Sequence, residues 1–334
     1  MVSAGHAERC HLICSTRPAL LKIKGVYMNI TTKILLAFML VALSGCIGPS
    51  GGPGAAPNST ALMEDLLKTS GNVTSYRFES SKMTTAEFLN LTEGYSLEDR
   101  LSYNLSENGE ISIARNVSQS MLRVSQESSM SSEKYRNLSM SSSREYYIIN
   151  STRYENIDGN WTRLFMPYPE YELLRENRLY LQLDILNRST LDVIGSETVD
   201  GTDCWKLKVS PENTTIHAAV IALEVSDVLG LPAQILLAMF NTTELERNSS
   251  IDWTAWISKE DKRLVKREGT VTASITPEVL GISSPGVRFL INVNVNESMR
   301  FFDYDRPIEI ELPDEARSAV MLIPVINTSG VSNG

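Results

Sequence analysis

Histidine is nearly missing from this 334-residue chain, which has three, and cysteine is scarce at four. Only His217 lies beyond residue 45, so a Ser-His-Asp or Cys-His site would rest on one residue with no supporting motif. A Cys/His zinc site has too few ligands to draw on, and once Cys10 and Cys14 leave with residues 1–45 and Cys46 carries a lipid, Cys204 has no disulfide partner within the chain. Basic charge is also short: 31 Lys and Arg stand against 40 Asp and Glu, for a net charge of −9 that repels nucleic acid and anionic headgroups. Phosphate-binding and dinucleotide fingerprints are absent. The one G-x-S-x-G match, Gly48 to Gly52, sits in a Gly/Pro stretch with neither strand nor helix to hold a nucleophile. The acids Asp303, Asp305, Glu309, Glu311, Asp314 and Glu315 lack the Asp-x-Asp-x-Asp-Gly calcium loop, and Glu309 and Glu311 read as the solvated side of Ile308–Leu312. No enzyme, cofactor or metal is expected.

Long apolar runs are missing too. Ile34 to Leu43 has ten residues, where a membrane span needs about 20. What the run does have is context: Lys33 before it, then Leu43-Ser44-Gly45-Cys46. That is the form of a lipoprotein signal peptide, in which the cysteine becomes the first mature residue and carries the lipid. A buried helix or a span is the alternative, and the Gly-Pro-Ser-Gly-Gly-Pro-Gly stretch from Gly48 to Gly54 speaks against both. The expected organisation is a spurious extension over 1–27 ahead of a start at Met28, then a signal peptide over 28–45. A lipid-anchored linker follows over 46–60, then a domain over 61–318 and a tail over 319–334. Removing residues 1–45 takes away five basic residues and one acid, moving the net charge from −9 to −13. An uncharged linker of this length reaches on the order of 20 Å, holding the domain just off the membrane.

Asn-x-Ser/Thr sequons occur at Asn58, Asn72, Asn90, Asn104, Asn116, Asn137, Asn150, Asn160, Asn187, Asn213, Asn241, Asn248, Asn296 and Asn327. With Ser and Thr near one-fifth of residues, about four would arise by chance. The density points to an N-glycosylated exterior, and with the lipid anchor to an archaeal cell surface. A Ser/Thr/Asn-rich composition with few sites used is the other reading.

Ala61–Thr69 has the apolar spacing of a short amphipathic helix (Leu62, Met63, Leu66, Leu67), stopped by Gly71. Hairpins are then expected at Asn108-Gly109, between Leu101–Leu105 and Ile111–Val117; at Asp158-Gly159, between Tyr146–Tyr154 and Trp161–Phe165; and at Asp200-Gly201, between Leu191–Val199 and Cys204–Val209. A meander over Ile251–Ile257, Leu264–Ile275 and Val287–Phe301 follows. Asn104, Asn116 and Asn296 each alternate with apolar neighbours, so the sheet has one wet face and one apolar face. Two helical segments are suited to cover the apolar face: Tyr168–Leu186, and Ile216–Phe240 broken at Gly230-Leu231-Pro232. Cys204 shares a face with Lys206 and Lys208 and reads as a structural thiol. Trp161, Trp205 and Trp253, with Ile257, Ile221 and Leu236, are the residues expected to line an apolar cavity. Plain core remains the alternative for all six.

Certain ordered segments are those of a known family. They are Leu66–Lys68 with Val73–Glu79, Tyr146–Ile149 leading to Gly159–Trp161, Glu197–Gly201 leading to Trp205–Leu207, Trp253–Lys259, and Phe302–Tyr304 through Pro307-Ile308 to Leu312-Pro313. In this order the chain resembles the LolA/LppX-like superfamily of lipoprotein carriers and lipid-binding lipoproteins, and within it lipid-anchored archaeal members. The resemblance implies an α+β fold: a curved antiparallel half-barrel wrapped around a few helices, with a cavity for acyl chains on its concave side. It transfers no ligand contact residue by residue. The expected protein is a lipid-anchored extracellular glycoprotein that binds an acyl chain or lipid, for lipid or lipoprotein transfer. Its expected partners are the membrane, through the lipid on Cys46, and the apolar ligand, with no nucleic acid. A structural or adhesive envelope glycoprotein without a ligand is the alternative.

Overall fold

Alternation builds the sheet. In the computed structural model, which describes residues 57–90, 97–113, 121–134, 139–166, 176–282, 284 and 286–322, strand β1 (Ser75–Asn90) buries Tyr76, Phe78, Ser80, Lys82, Thr84 and Ala86 and turns the residues between them outward. Side chains two apart share a face, so one strand fixes the sidedness of its neighbours. These are β2 (Leu97–Ser112), β3 (Met121–Ser132), β4 (Ser139–Ile149), β5 (Thr152–Ile157), β6 (Asn160–Phe165), β7 (Ser189–Val199), β8 (Thr202–Pro211), β9 (Ser249–Ser258), β10 (Leu264–Ile275), β11 (Phe289–Phe302) and β12 (Val320–Leu322). They form one sheet in the order β12-β6-β5-β4-β3-β2-β1-β11-β10-β9-β8-β7, antiparallel except where β12 runs parallel to β6.

Among the described residues four longer helices and two short ones accompany the sheet. Helix α1 (Ser59–Ser70) is capped by Asn58 and stops at Gly71. Helix α2 (Arg178–Asn187) is capped by Asn177, and α3 (Thr214–Leu229) by Asn213. Gly230, at φ 64°, ends α3, and α4 (Ala233–Met239) leaves it at a bend of 117°. The short α5 (Thr242–Arg247) and α6 (Asp314–Arg317) follow. Among the described residues no single helix is long and apolar enough to cross a membrane.

One apolar cluster joins the helices to the sheet. It takes Leu62 and Leu66 from α1, Leu179 and Leu183 from α2, and Ile221 and Val225 from α3, against Tyr76, Phe78, Leu122, Val209, Trp253 and Val295 of the strands. Each fully buried side chain of this size contributes roughly 1.5–3 kcal/mol. The expected half-barrel around helices is thus the fold observed: a curved, open, largely antiparallel sheet with its apolar side filled by helices. A second, smaller cluster of Tyr147, Ile308 and Ile310 lies on the outer face, where the extended segment before α6 crosses the sheet.

Several local expectations are corrected. Asn108-Gly109 is no turn, because β2 runs straight through it and returns only as β3. The glycine has a different purpose: the Phe78 ring occupies the place a Cβ on Gly109 would take. Tyr146–Tyr154 is not one strand but two, broken by Asn150 (φ 47°) and Ser151 (φ 63°), an unexpected left-handed pair. The Asp158-Gly159 and Asp200-Gly201 hairpins and the later meander stand where expected, as does the break at Gly230. Ser59 and Thr60 belong to α1 instead of the linker, and Val320–Leu322, expected in the tail, adds an edge strand. Cys46 and the leader, Asn116, Asn137, Asn327 and the 168–175 part of the expected Tyr168–Leu186 helix lie outside the described residues.

Candidate functional site

The six side chains expected to line a cavity do not share one place. Trp253, Ile257, Ile221 and Leu236 lie in the main core with at most 1% exposure, and Trp205 is half-buried against it. The Lys259 ammonium stands 4.6 Å over the Trp205 ring. Trp161 is elsewhere. It pairs with Asn156, on the alternation that faces outward, and packs on Tyr147 at 5.9 Å between ring centres. It belongs to the outer cluster, under the extended segment that carries Ile308 and Ile310.

What the concave face holds beyond hydrocarbon is charge. Lys82 of β1 reaches Glu224 (3.3 Å) and Asp227 (2.9 Å) of α3. Arg267 of β10 bonds Glu297 of β11 and lies 3.8 Å from Glu224. Its guanidinium also covers the Trp253 ring at 3.9 Å. Arg267 is 2% exposed, and its Nε and Nη1 have no hydrogen-bond partner. Burial pushes its pKa down to about 10 against the pull of Glu224. Burial also opposes the charge on Lys82, but Glu224 and Asp227 outweigh it and hold the ammonium above its usual range. The apolar helix α3 therefore sits on the sheet partly through an ionic seam.

A second polar set fastens α2. The Tyr76 hydroxyl donates to Asn177 Oδ1 (2.6 Å) and accepts from Leu179 N–H (3.1 Å). Arg178 donates from Nε and Nη2 to both oxygens of Glu107, at 2.6 and 2.9 Å, and Gln126 donates to the same carboxylate at 2.5 Å. Tyr146 donates to Glu176 (2.8 Å), with Arg153 also on that carboxylate (3.3 Å). Burial raises both phenols well above their usual range. Neither set was anticipated from sequence. The available signal was parity: Glu107 shares the alternation of Leu101, Tyr103 and Leu105, and Glu224 interrupts the most apolar helix.

Neither arrangement is a nucleophile with its base. His217 Nε2 lies 2.8 Å from Ser249 Oγ, but that hydroxyl donates to Leu245 O at 2.5 Å. The imidazole is then the donor in the pair, with its charged form disfavoured by burial, and the contact ties α3 to the start of β9. Cys204 is buried beside Thr202 O, with its pKa raised to about 11 by burial, so it stays a thiol. Among the described residues no group of three or more His, Cys, Asp or Glu is placed to hold a metal ion.

The site is thus the inside of an open antiparallel half-barrel, apolar at its base and crossed by two charged bridges to its helices. No protein-family model and no curated protein matches the sequence. Among solved structures the chain is similar to the Mycobacterium tuberculosis lipoprotein LppX, with 11% identity, 77% of this chain and 100% of that one covered, and a TM-score of 0.34. It is also similar to a LolA superfamily protein from Nitrosomonas europaea (10%; 78% and 97%; 0.20) and to a DUF1329 family protein from Desulfovibrio piger (10%; 76% and 96%; 0.20).

Proposed function

We propose that this chain is a non-enzymatic glycoprotein of an archaeal envelope, lipid-anchored through Cys46 on the outer side, that takes up an acyl chain or lipid between the half-barrel and its helices. One observation carries the reading. The pair α3–α4, bent by 117°, covers the apolar face while resting on an ionic seam, and its other side leaves Leu231, Ile235 and Met239 exposed. Lifting the pair returns Lys82, Glu224 and Arg267 to water, which offsets part of the cost of exposing hydrocarbon. An apolar ligand would take the place vacated under the helices, with Trp253, Ile257, Ile221 and Leu236 as its walls. Such a protein hands its lipid over only within reach of its tether.

Native mass spectrometry of the detergent-solubilised, full-length mature protein tests this. A non-covalent lipid is expected beyond the masses of polypeptide, anchor and glycans. A chain without one, which also fails to bind a fluorescent fatty acid, overturns the reading. Cys46→Ser should release the protein to the medium; its retention on the membrane would overturn the anchor. A second reading, an envelope glycoprotein without a ligand, draws on the same core, since four of the six cavity residues are fully packed. In that case the fatty acid does not bind and in-cell crosslinking captures a stable protein partner.

A further inference from the structure

The outer face of the sheet carries a feature that alternation and register create together. Within a strand, the Asn and the Ser of a sequon are two apart and so point the same way. Asn104 and Ser106 of β2 and Asn296 and Ser298 of β11 are sequons in strand interiors, whereas Asn160 only opens β6. Both strands pair with β1, on opposite sides of it. Met83 stands opposite Asn104 and also opposite Asn296, and Ser81 stands opposite Ser106 and also Ser298. The result is two sequons running in the same direction, one on each side of β1, with their asparagines roughly 10 Å apart.

Between them Met83 is 48% exposed, and the residues directly opposite it on both neighbouring strands are the two asparagines. Two grooves meet at this point and share Ser81 and Ser106. One, of about 700 Å³, is lined by Met83, Asn104, Ser129, Ser141 and Ser143; the other, of about 540 Å³, by Ser298 and the charged Arg77 and Arg300. The Asn296 amide is already oriented. Its Oδ1 accepts from Thr270 (2.9 Å) and its Nδ2 donates to Asn294 (3.0 Å), a bond that the one remaining N–H of a glycosylated amide can keep.

We propose that Asn104 and Asn296 are a paired glycosylation site, whose two N-glycans lie over the polar grooves, one rich in serine and one in charge, and pack the C–H face of a sugar ring on Met83. This rests on the glycoprotein part of the proposed function and specifies where sugar is structural. Hydroxyls of the groove match the polar edges of the carbohydrate, and the exposed methionine gives its apolar face a seat. The glycans then shield the centre of the outer face.

The test uses the native glycoprotein, the same chain made without glycosylation, and the variant Ser106→Ala/Ser298→Ala, which keeps both asparagines but breaks both sequons. Glycopeptide mapping is expected to find both asparagines occupied. Oxidation by hydrogen peroxide is then read at Met83 and at Met321, which is equally exposed at 48%. Met83 should oxidise at least about fivefold more slowly than Met321 in the native protein, and at a similar rate in the other two. Sugar on other sequons with either asparagine bare overturns the pairing, as does full occupancy with no protection of Met83. A chain with no sugar on any sequon overturns the glycoprotein reading as well, so the two failures are told apart.

Discussion

Helices α2 and α3 lie on the same concave face and are fastened to it in different ways. At α2 the helix start is densely bonded: Asn177 caps it, Tyr76 bonds the cap and the Leu179 amide, and Arg178 meets Glu107 through two parallel bonds. Among its buried side-chain atoms the Gln182 Oε1 further along stands without a partner. At α3 the bonds are fewer and the charges more. Lys82 answers Glu224 and Asp227, while Arg267 keeps Nε and Nη1 without partners at 2% exposure. Fully satisfied polar networks rigidify, whereas a partly satisfied one makes its interface easier to open. The same face thus holds one fixed clamp and one separable cover.

The comparison breaks most visibly at the clamp. Glu107→Leu strands Arg178 and should lower stability by about 3–5 kcal/mol in a denaturant titration, while Glu107→Leu/Arg178→Leu should recover most of that loss. A single variant no worse than the double would mean that the clamp is not a coupled pair. The cover should respond differently. Arg267→Met/Glu297→Gln removes a buried charge that is incompletely bonded, so stability should stay within about 1 kcal/mol of the parent or rise. A loss as large as that of Glu107→Leu would erase the distinction between the two helices.

The smallest effect is in pH. Native-state hydrogen exchange should find α3 and α4 opening before α2, and the gap should move little between about pH 9 and about pH 11. Lys82 has a raised pKa, so its contribution is complete below the ordinary lysine range and is lost as pH climbs through the folded value. Arg267, lowered to about 10, has the opposite sign: its charged form costs stability below that pH and the cost is relieved above it. A change of more than about tenfold in the gap would show that one of the two dominates.

Sequence pattern revealed the sheet better than the site. Asp158-Gly159 and Asp200-Gly201 could be recognised because a tight turn needs those residue types at adjacent positions. Asn108-Gly109 has the same letters, yet its glycine answers to Phe78 across the strand pair, a contact no local window contains. The break at Gly230 was legible for the same local reason as the good turns, since Pro232 follows it and the residue must adopt a left-handed conformation. Trp161 has a strand neighbourhood much like those of Trp205 and Trp253. Only the pairing of β5 with β6, and the chain that crosses above it, assign it to the other face. The ionic seam was hidden because Lys82 and Arg267 find their acids on distant segments of the chain.

The sheet's two margins bear on how this protein keeps company with its own copies. An open sheet ends in strands whose unpaired amides can recruit another chain. Here one margin is β12, described over three residues and parallel to its neighbour. The other is β7, where the register slips between Val193 and Gly195 and Asp192 and Glu197 add like charges along the border. Among the described residues neither border offers a long, flat, neutral row of hydrogen-bonding groups. A half-barrel can therefore stay open without becoming the seed of a fibre.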